Sequence, residues 1–303
     1  MTGPQDTRED PAVTASTPQL STPESLTYES TYRLVRTADY EIQINEAGEG
    51  PPVFMIHGTG PGATGWSNFE PNIRGLSSSF RCIAVTMPGW GDSSPQSRET
   101  GRDQGRAMVQ LMDTMGIDRA AVIGNSMGGA IGMVLATEHP GRISHLVMMG
   151  SGVWGPSVLS PGGLSEGLRV IFETYEDPSP ENFRRLVAVM CHDPSFATEE
   201  LAQERSRSAT SKPEHLKNWL ELMRSGEGTV GFAEAGQKIA RSQIPTLLVH
   251  GRDDRTVHFE VSLRANGLIP DSRLVMFNRC GHWAQLEHAA EFNALTAQFL
   301  GRG

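Results

Sequence analysis

The sequence predicts an α/β protein with a mostly parallel sheet, and three patterns support this fold class. Short apolar runs bounded by glycine or proline, as in strands covered on both faces, occur at residues 53–56, 82–85, 121–123, 146–149, 246–249 and 274–277. Helical patterns lie between them, most clearly at 102–115, 128–138 and 283–300. This alternation favours parallel strands joined by right-handed crossovers. The third pattern is a serine placed where a strand turns sharply into a helix.

Two segments depart from the alternation. Residues 31–49 are expected to form an antiparallel hairpin, because apolar and polar residues alternate on both sides of Thr37-Ala38-Asp39. Residues 152–242 contain Gly-Pro turns and no clear strand, and their expected helices cover 165–176, 181–191, 198–209 and 213–224. We therefore predict a disordered tail at 1–27, an α/β core formed by 28–151 and 243–303, and a helical cap at 152–242 above the carboxyl edge of the sheet.

The composition is that of an acidic protein with an ordinary apolar content. The chain has 303 residues, of which 38% are hydrophobic, and a formal net charge of −9. Nucleic-acid binding needs a basic face, and a membrane span needs ~18 consecutive apolar residues, which no stretch approaches. The Ser-, Thr- and Pro-rich start lacks the apolar core of a signal peptide. We expect no nucleic-acid partner, no membrane association and, with three scattered cysteines, a cytoplasmic location.

The most informative motif is Gly-Asn-Ser-Met-Gly at residues 124–128. It follows the apolar run 120–123 and precedes a small-residue stretch with a helical pattern, which is the setting of a G-x-S-x-G nucleophile elbow. The glycines let the backbone fold tightly and present the serine hydroxyl at the top of a sheet. We predict that Ser126 is a nucleophile. The alternative is a glycine-rich turn with an incidental serine.

A serine hydroxyl reacts poorly unless a base accepts its proton, and in this type of fold an acid and then a histidine follow the serine in the chain. The run 246–249 leads into His-Gly-Arg-Asp-Asp, and the run 274–277 leads into Asn-Arg-Cys-Gly-His. We assign His282 as the general base and Asp254 as the acid that orients it. Asp253 competes for this second role, and either aspartate could instead close a turn.

Acyl transfer also needs hydrogen-bond donors for the oxyanion. One predicted donor is the backbone N–H of Met127, and the second is expected at Thr59, in the loop His-Gly-Thr-Gly-Pro-Gly at 57–62. Phosphate binding by this loop is disfavoured, because it lacks the Lys-Ser/Thr of a P-loop and a complete G-x-G-x-x-G. No histidine spacing typical of a metal site occurs. We expect neither a metal nor a cofactor.

Several of these stretches together resemble the meta-cleavage product hydrolases, a branch of the α/β-hydrolase superfamily. The resemblance is carried by His-Gly-Thr-Gly-Pro-Gly-Ala-Thr-Gly-Trp-Ser-Asn at 57–68, Gly-Asn-Ser-Met-Gly-Gly-Ala at 124–130, Gly-Arg-Asp-Asp-Arg at 251–255, Cys-Gly-His-Trp-Ala-Gln-Leu-Glu-His at 280–288 and, more weakly, Pro-Glu-His-Leu-Lys-Asn at 213–218. It covers roughly residues 26–301. The fold implied is the α/β-hydrolase fold with a helical cap.

The resemblance implies an enzyme that cleaves a carbon–carbon bond in 2-hydroxy-6-oxohexa-2,4-dienoate-type ring-cleavage products. The products would be 2-hydroxypenta-2,4-dienoate and a carboxylic acid. By match, Ser126, Asp254 and His282 would form the triad. The substrate-binding residues would be Gly58, Gly60, Asn68, Asn125, Arg205 and Trp283. The family also implies a homo-oligomer, as a dimer or a larger assembly.

Each binding residue has a simpler interpretation. Arg205 could be a solvated arginine among neighbouring glutamates, Asn125 a turn residue, Trp283 a core aromatic and Asn68 a helix cap. Thr59 departs from the family, which often has glycine there; because the rest of the loop is intact, we expect an ordinary φ and a usable N–H. Thr256 is expected to face the pocket for the acyl group.

Two other functions fit parts of the pattern. A carboxylesterase would use the same triad but would not need Arg205, and a ligand receptor or scaffold would not need a complete triad. Haloalkane dehalogenation is disfavoured, because it uses an aspartate where Ser126 stands. The sequence leaves the substituent on C6 of the substrate open among alkyl, phenyl and acidic groups.

Overall fold

Strands and helices alternate along most of the chain in the computed structural model, which describes residues 26–97, 103–160, 162–226 and 231–301. The strands are β1 Tyr32–Arg36, β2 Glu41–Ala47, β3 Pro52–Ile56, β4 Arg81–Thr86, β5 Ala120–Asn125, β6 Ile143–Met149, β7 Thr246–Gly251 and β8 Ser272–Phe277. The helices before β6 and after β7 are α1 Tyr28–Thr31, α2 Gly65–Leu76, α3 Gln104–Thr114, α4 Met127–Glu138, α10 Glu260–Leu268, α11 Ala284–Glu287 and α12 Ala289–Leu300.

The eight strands form one sheet in the order β1-β2-β4-β3-β5-β6-β7-β8. Strand β2 pairs antiparallel with β1 and β4, and every other pair is parallel. The predicted hairpin is therefore confirmed, as are the six predicted parallel strands. Because β3 to β8 all run in one direction, their carboxyl ends lie along the same edge of the sheet.

Each face of the sheet is covered by its own apolar core, which explains the continuous apolar runs in the sequence. Successive strand residues point to opposite faces. Phe54 and Ile56 belong to one core, whereas Val53 and Met55 belong to the other. All six residues of β5 are buried, and so are all six of β7. Strand β8 is the last in the sheet and is more exposed.

Between β6 and β7 the described residues form no strand and contain five helices, which we call the inserted helices. They are α5 Glu166–Glu176, α6 Pro180–Met190, α7 Glu199–Ser211, α8 Pro213–Ser225 and α9 Phe232–Lys238. Ser165, Ser179 and Thr198 accept backbone N–H bonds at the starts of α5, α6 and α7. The four predicted helices are confirmed and α9 is an addition. The division into core and cap stays a prediction.

Other parts of the chain differ from the sequence-based expectation. The single helix expected at 283–300 is wrong: it is two helices, α11 and α12, separated at His288, whose φ and ψ of −123° and 42° are not helical. The ring Nε2 of His288 lies 3.1 Å from the carbonyl oxygen of Arg279. Helices α2 and α10 were not predicted, and Pro71 obscures the pattern of α2.

The chain termini and the start of α3 complete this comparison. Residues 1–25 of the predicted tail lie outside the described residues, as do 98–102 before α3. Leu26 is buried in a core cluster, and Thr27 caps helix α1. The described chain is therefore anchored to the core from its first residue.

Close packing around the turn between β5 and α4 generates our first prediction. A Cβ atom added to Gly128 would lie 2.0 Å from the carbonyl oxygen of Ile56, which is part of strand β3. Gly128→Ala should therefore lower the free energy of unfolding by about 1–3 kcal/mol, as overpacking does. Gly141→Ala is the control, since nothing lies within 4 Å of an added Cβ there. Urea denaturation measures both; equal stability of the two variants would contradict this account.

Candidate active site

Ser126 sits in the turn that joins β5 to α4, at the carboxyl edge of the sheet. Its φ of 54° and ψ of −115° are rare for a residue with a side chain. A hydrogen bond from its backbone N–H to the carbonyl oxygen of Met149, 2.8 Å long, fixes this turn to β6. A Cβ atom added to Gly124 would lie 2.3 Å from the backbone of Gly128, and one added to Gly128 would lie 2.0 Å from the carbonyl oxygen of Ile56, so the motif needs glycine at both positions. Met127 begins helix α4 directly after the serine.

His282 and Asp254 come from the loops that follow β8 and β7. The Nδ1 atom of His282 lies 2.7 Å from Oδ2 of Asp254, and both side chains are buried. The other carboxylate oxygen accepts backbone N–H bonds from Thr256 and Val257 at 2.7 and 2.9 Å. Asp253 instead lies 3.6 Å from His192. Asp254 is therefore the aspartate that orients the imidazole in this arrangement.

A second imidazole, which the sequence did not single out, also touches Asp254. Nε2 of the fully buried His250 lies 3.2 Å from Oδ2 of Asp254 and 2.8 Å from the carbonyl oxygen of Val257. Both neighbours are acceptors, so this nitrogen carries a proton. Burial raises the pKa of Asp254, but the charge of His282 and hydrogen bonds from both histidines outweigh it and hold the pKa below its ordinary value. The carboxylate is ionised at neutral pH.

Ser126 and His282 line one cavity but are not hydrogen-bonded. The Ser126 hydroxyl makes no hydrogen bond to any residue among those described, including His282. Such bonds are often long in unliganded sites and tighten when a ligand binds.

The empty space between the atoms that line this cavity, including the part open to solvent, is about 330 Å³. All the predicted site residues line it except Asp254, which lies behind His282, and Met127. The lining residues are Gly58, Thr59, Gly60, Ala63, Asn68, Asn125, Ser126, Ile171, Leu186, Met190, Arg205, His282 and Trp283. Residues 157 positions apart in sequence, such as Asn125 and His282, are thus neighbours at the edge of the sheet, and α5, α6 and α7 close the space above them.

Arg205 is the unusual member of this lining. Its side chain is buried, with 3% of the residue exposed, so the interpretation as a solvated arginine is wrong. Among the described residues it has no hydrogen bond or ion pair, and its buried Nε has no partner. Burial lowers the pKa of Arg205 to about 10, so it stays charged at neutral pH. Its guanidinium carbon lies 4.8 Å from the ring centre of Trp283.

The two predicted asparagines are held by backbone carbonyls. Nδ2 of Asn125 donates to the carbonyl oxygens of Met149 and His282, while its buried Oδ1 has no partner among the described residues. Nδ2 of Asn68 donates to the carbonyl oxygen of Thr64 at 2.9 Å. Thr64 caps α2 and Asn68 lies inside that helix, so the capping interpretation of Asn68 is wrong.

Thr59 is anchored by the inserted helices. Its hydroxyl accepts a 2.7 Å hydrogen bond from Nε1 of Trp219 on α8, and its carbonyl accepts one from the hydroxyl of Tyr175 on α5. The two rings stack with centroids 3.7 Å apart. The φ of Thr59 is not positive, as expected, since Ser126 and Arg279 are the non-glycine residues with positive φ in the described chain.

Thr256 does not take the place that the sequence suggested. It is buried, but it does not belong to the cavity lining. Its hydroxyl contacts the sulfur of Met190 at 3.3 Å, and a Cβ added to Gly167 would meet it at 2.1 Å. The expectation that Thr256 faces the acyl pocket is therefore corrected: Met190 stands between Thr256 and the cavity.

Glu287 is a further residue that the motif analysis passed over. One carboxylate oxygen accepts the backbone N–H groups of His192 and Asp193 at 2.7 and 3.0 Å, and the other accepts the N–H of Gly281 at 2.6 Å. The backbone N–H of His282 also donates to the carbonyl oxygen of Met190 at 2.6 Å. These bonds tie the loop carrying His282 to the end of α6. No local pattern could reveal the bonds to His192 and Asp193, because these residues lie 95 and 94 positions from Glu287.

Comparison with known proteins agrees with this geometry. The family described as the alpha/beta hydrolase fold matches residues 51–289, and the chain belongs to it. The 2-hydroxy-6-oxononadienedioate/2-hydroxy-6-oxononatrienedioate hydrolase of Cupriavidus pinatubonensis (strain JMP 134 / LMG 1197) is 37% identical over 92% of this chain and 98% of its own. The 2-hydroxy-6-oxo-6-phenylhexa-2,4-dienoate hydrolase of Comamonas testosteroni is 40% identical, covering 87% and 92%.

A solved structure indicates the branch of this family to which the chain belongs. The meta-cleavage product hydrolase from Pseudomonas fluorescens IP01, in a variant with one serine changed to alanine and with acetates bound, has a TM-score of 0.78. It is 29% identical, and the match covers 89% of this chain and 97% of that one. Within the α/β hydrolases, the chain belongs to the meta-cleavage product hydrolases.

No helix in ranges 26–97, 103–160, 162–226 and 231–301 combines the length and the apolar character needed to cross a membrane. In the same ranges, no three His, Cys, Asp or Glu side chains are grouped as metal ligands would be.

The unpaired charge of Arg205 leads to a prediction on stability. A buried cation without a counter-ion is costly, by several kcal/mol, and stacking on Trp283 offsets only about 2 kcal/mol of that cost. Arg205→Met, similar in length and uncharged, should raise Tm by about 2–6 °C in the ligand-free protein. Exposed Arg207 on the same helix provides the control variant Arg207→Met, with an expected change near zero. Calorimetry measures both; a lower Tm for Arg205→Met would contradict the prediction.

The hydrogen bonds to Glu287 lead to a third prediction, on stability and activity. Glu287→Gln replaces one acceptor oxygen by an amide that faces a backbone N–H, which should cost about 1–3 kcal/mol of stability. Because the loop of His282 loosens, kcat should fall about 10- to 100-fold. Glu291→Gln, one turn further on, is the control. Denaturation and steady-state kinetics are measured at a temperature where all variants are folded; an unchanged kcat would limit Glu287 to a role in stability.

Proposed function

We propose that this protein is a serine-dependent hydrolase that cleaves a carbon–carbon bond in 2-hydroxy-6-oxohexa-2,4-dienoate-type substrates. The products are 2-hydroxypenta-2,4-dienoate and a carboxylic acid. The observation that carries the proposal is the buried, unpaired Arg205 in the same cavity as Ser126 and His282. A hydrolase of neutral esters has no need of this charge, whereas a substrate with a carboxylate supplies its missing partner.

In this proposal Ser126 is the nucleophile, His282 the general base and Asp254 the residue that orients His282. Support comes from the 2.7 Å contact between His282 and Asp254 and from the shared cavity of His282 and Ser126. The backbone N–H groups of Met127 and Thr59 are the proposed oxyanion donors. Met127 opens helix α4, whose N-terminus favours a negative charge, and Thr59 is held rigidly by Trp219.

The remaining polar residues are proposed to bind the dienoate end. The planar fork of Arg205 suits a carboxylate, and Trp283 beside it offers a flat apolar surface to the conjugated chain. Asn68 and Asn125 are proposed to hold the 2-hydroxy or 2-oxo oxygen. The Oδ1 atom of Asn125, buried without a partner among the described residues, is suited to accept a bond from the 2-hydroxyl group. Gly58 and Gly60 leave room for the substrate against the loop backbone.

The chemistry explains why both ends of the substrate must be held. A carbon leaving group departs readily only when its electrons can be delocalised, so a proton first moves from the 2-hydroxyl to C5, giving a 2-oxo form. Ser126 Oγ then attacks the C6 carbonyl carbon and gives its proton to His282. The C5–C6 bond breaks, its electron pair passes into the 2-oxo system, and a proton returns to this fragment. Water finally hydrolyses the acyl-serine.

We also propose a cytoplasmic homo-oligomer, a dimer or a larger assembly. The three cysteines are unpaired and buried, as in proteins of reducing compartments. Exposed apolar side chains at Trp154, Val158 and Leu159 provide surface for association between subunits.

One experiment separates this function from a carboxylesterase with the same triad. Arg205→Ala should reduce kcat/KM for the dienoate about 100-fold or more, because a charge-assisted bidentate contact is lost, while hydrolysis of a simple aryl ester is retained. The loss of the yellow dienolate absorbance and the release of phenol are the two measurements. A wild-type protein that hydrolyses the ester but not the dienoate, or an Arg205→Ala variant with both activities unchanged, would argue for the esterase.

Ser126→Ala is the control for the nucleophile in this experiment. It should bind the dienoate and perturb its absorbance without releasing a carboxylic acid. Release of the acid at the wild-type rate would refute covalent catalysis by Ser126, whatever the outcome for Arg205→Ala.

A further inference from the structure

We infer that the group attached to the reacting carbonyl of the substrate is uncharged and apolar, so that the substrate carries one carboxylate only. The inference rests on the proposed function and narrows its substrate class. Family membership does not decide the point. The relative from Cupriavidus pinatubonensis is named for dienedioates, which carry two carboxylates, and the relative from Comamonas testosteroni for a phenyl-substituted monoacid.

The cavity contains few groups that can carry a positive charge. Of the described residues that line it, Arg205 is the one with a permanent positive charge. Its guanidinium can pair fully with a single carboxylate through two parallel hydrogen bonds. His282 is engaged with Asp254 through Nδ1 and must accept the proton of Ser126 through its other nitrogen. One anionic group on the substrate therefore pairs with Arg205, and the described lining has no second permanent cation for another carboxylate.

Helices α5 and α6 contribute apolar side chains to the cavity lining. Ile171, Leu186 and Met190 are all almost fully buried, and none offers a hydrogen-bond donor. Leu186 and Met190 are four residues apart on α6, so they lie one turn above the other on the same helix face. This side of the cavity is apolar, in contrast to the side formed by Arg205 and the asparagines.

Nearby arginines do not supply the missing charge. Arg255 donates to the carbonyl oxygens of Ala188 and Cys191 outside the cavity, and its guanidinium lies 3.7 Å from the Glu166 carboxylate. Arg185, on α6 itself, forms an ion pair with Glu173 at the surface. A carboxylate on the acyl side of the substrate would therefore be buried without a partner, which is strongly unfavourable.

The test compares three dienoates that differ at C6: a methyl group, a phenyl group and the carboxylate-bearing chain of 2-hydroxy-6-oxononadienedioate. The decrease of dienolate absorbance gives kcat/KM for each. We expect the dienedioate to be hydrolysed at least about 100-fold less efficiently than the better of the two monoacids. A dienedioate that is hydrolysed as well as the better monoacid overturns the inference but leaves the proposed function intact. If none of the three is hydrolysed, the proposed function fails and the inference falls with it.

Binding without turnover provides a second measurement. In Ser126→Ala, the dissociation constants of the same three compounds are obtained from the perturbed absorbance. The dienedioate should bind at least about 10-fold more weakly than the tighter monoacid, because its second carboxylate loses water without gaining a partner. Equal or tighter binding of the dienedioate overturns the inference.

A charge placed on the apolar side tests the location directly. Met190→Lys keeps the length of the side chain and adds a cation beside the cavity, and Met190→Leu is the uncharged control. The lysine variant should increase the kcat/KM ratio of dienedioate to methyl substrate about 10-fold or more, and the leucine variant should not. Ratios within one protein cancel any loss of folded enzyme. An unchanged ratio in a folded lysine variant would mean that the C6 group lies elsewhere.

Discussion

The site depends on one constraint: strands β5, β7 and β8 run parallel, so their carboxyl ends fall on the same edge of the sheet. Each end is followed by a turn that carries one member of the Ser126, Asp254 and His282 set. The hydrogen-bonded register between the strands fixes the relative heights of these turns. Contacts between side chains, such as the hydrogen bonds around Asp254, then refine the positions of these three residues only locally.

Electrostatics divides the cavity into two unlike halves. On one side, Arg205 is held without a counter-ion, stacked on Trp283 and away from water. On the other, α5 and α6 contribute only apolar surface. A protein tolerates an uncompensated buried charge when function requires it, and the stability is then recovered elsewhere in the fold. The two halves together match the proposed substrate, a molecule with one charged and one uncharged end.

Much of this could be predicted from the sequence, because the informative signals are local. The strand runs, the G-x-S-x-G turn and the turns after β7 and β8 each occupy a few consecutive residues. Their order along the chain indicates which turn carries the serine, which the acid and which the histidine. What could not be predicted depends on contacts distant in sequence. The burial of Arg205 is set by neighbours from the core, and the bonds of Glu287 join α6 to the loop of His282.

The errors have the same origin. The region 283–300 has a helical pattern throughout, yet the helix breaks at His288, whose ring reaches back to Arg279. Thr256 follows a catalytic turn in sequence, but Met190 from another element shields it from the cavity. The preference for Asp254 over Asp253 is not among these errors, since Asp254 contacts the imidazole of His282 whereas Asp253 lies beside His192.

The anchoring of Thr59 has an evolutionary consequence. The loop that borders the serine is fixed by an indole and a phenol from α8 and α5, which lie outside the α/β core. Substitutions in those helices therefore alter the core loop as well as the acyl side of the cavity. When such enzymes diverge toward new substrates, Trp219 and Tyr175 should change together with residue 59. Changes in substrate specificity then depend on substitutions at a few positions of the inserted helices.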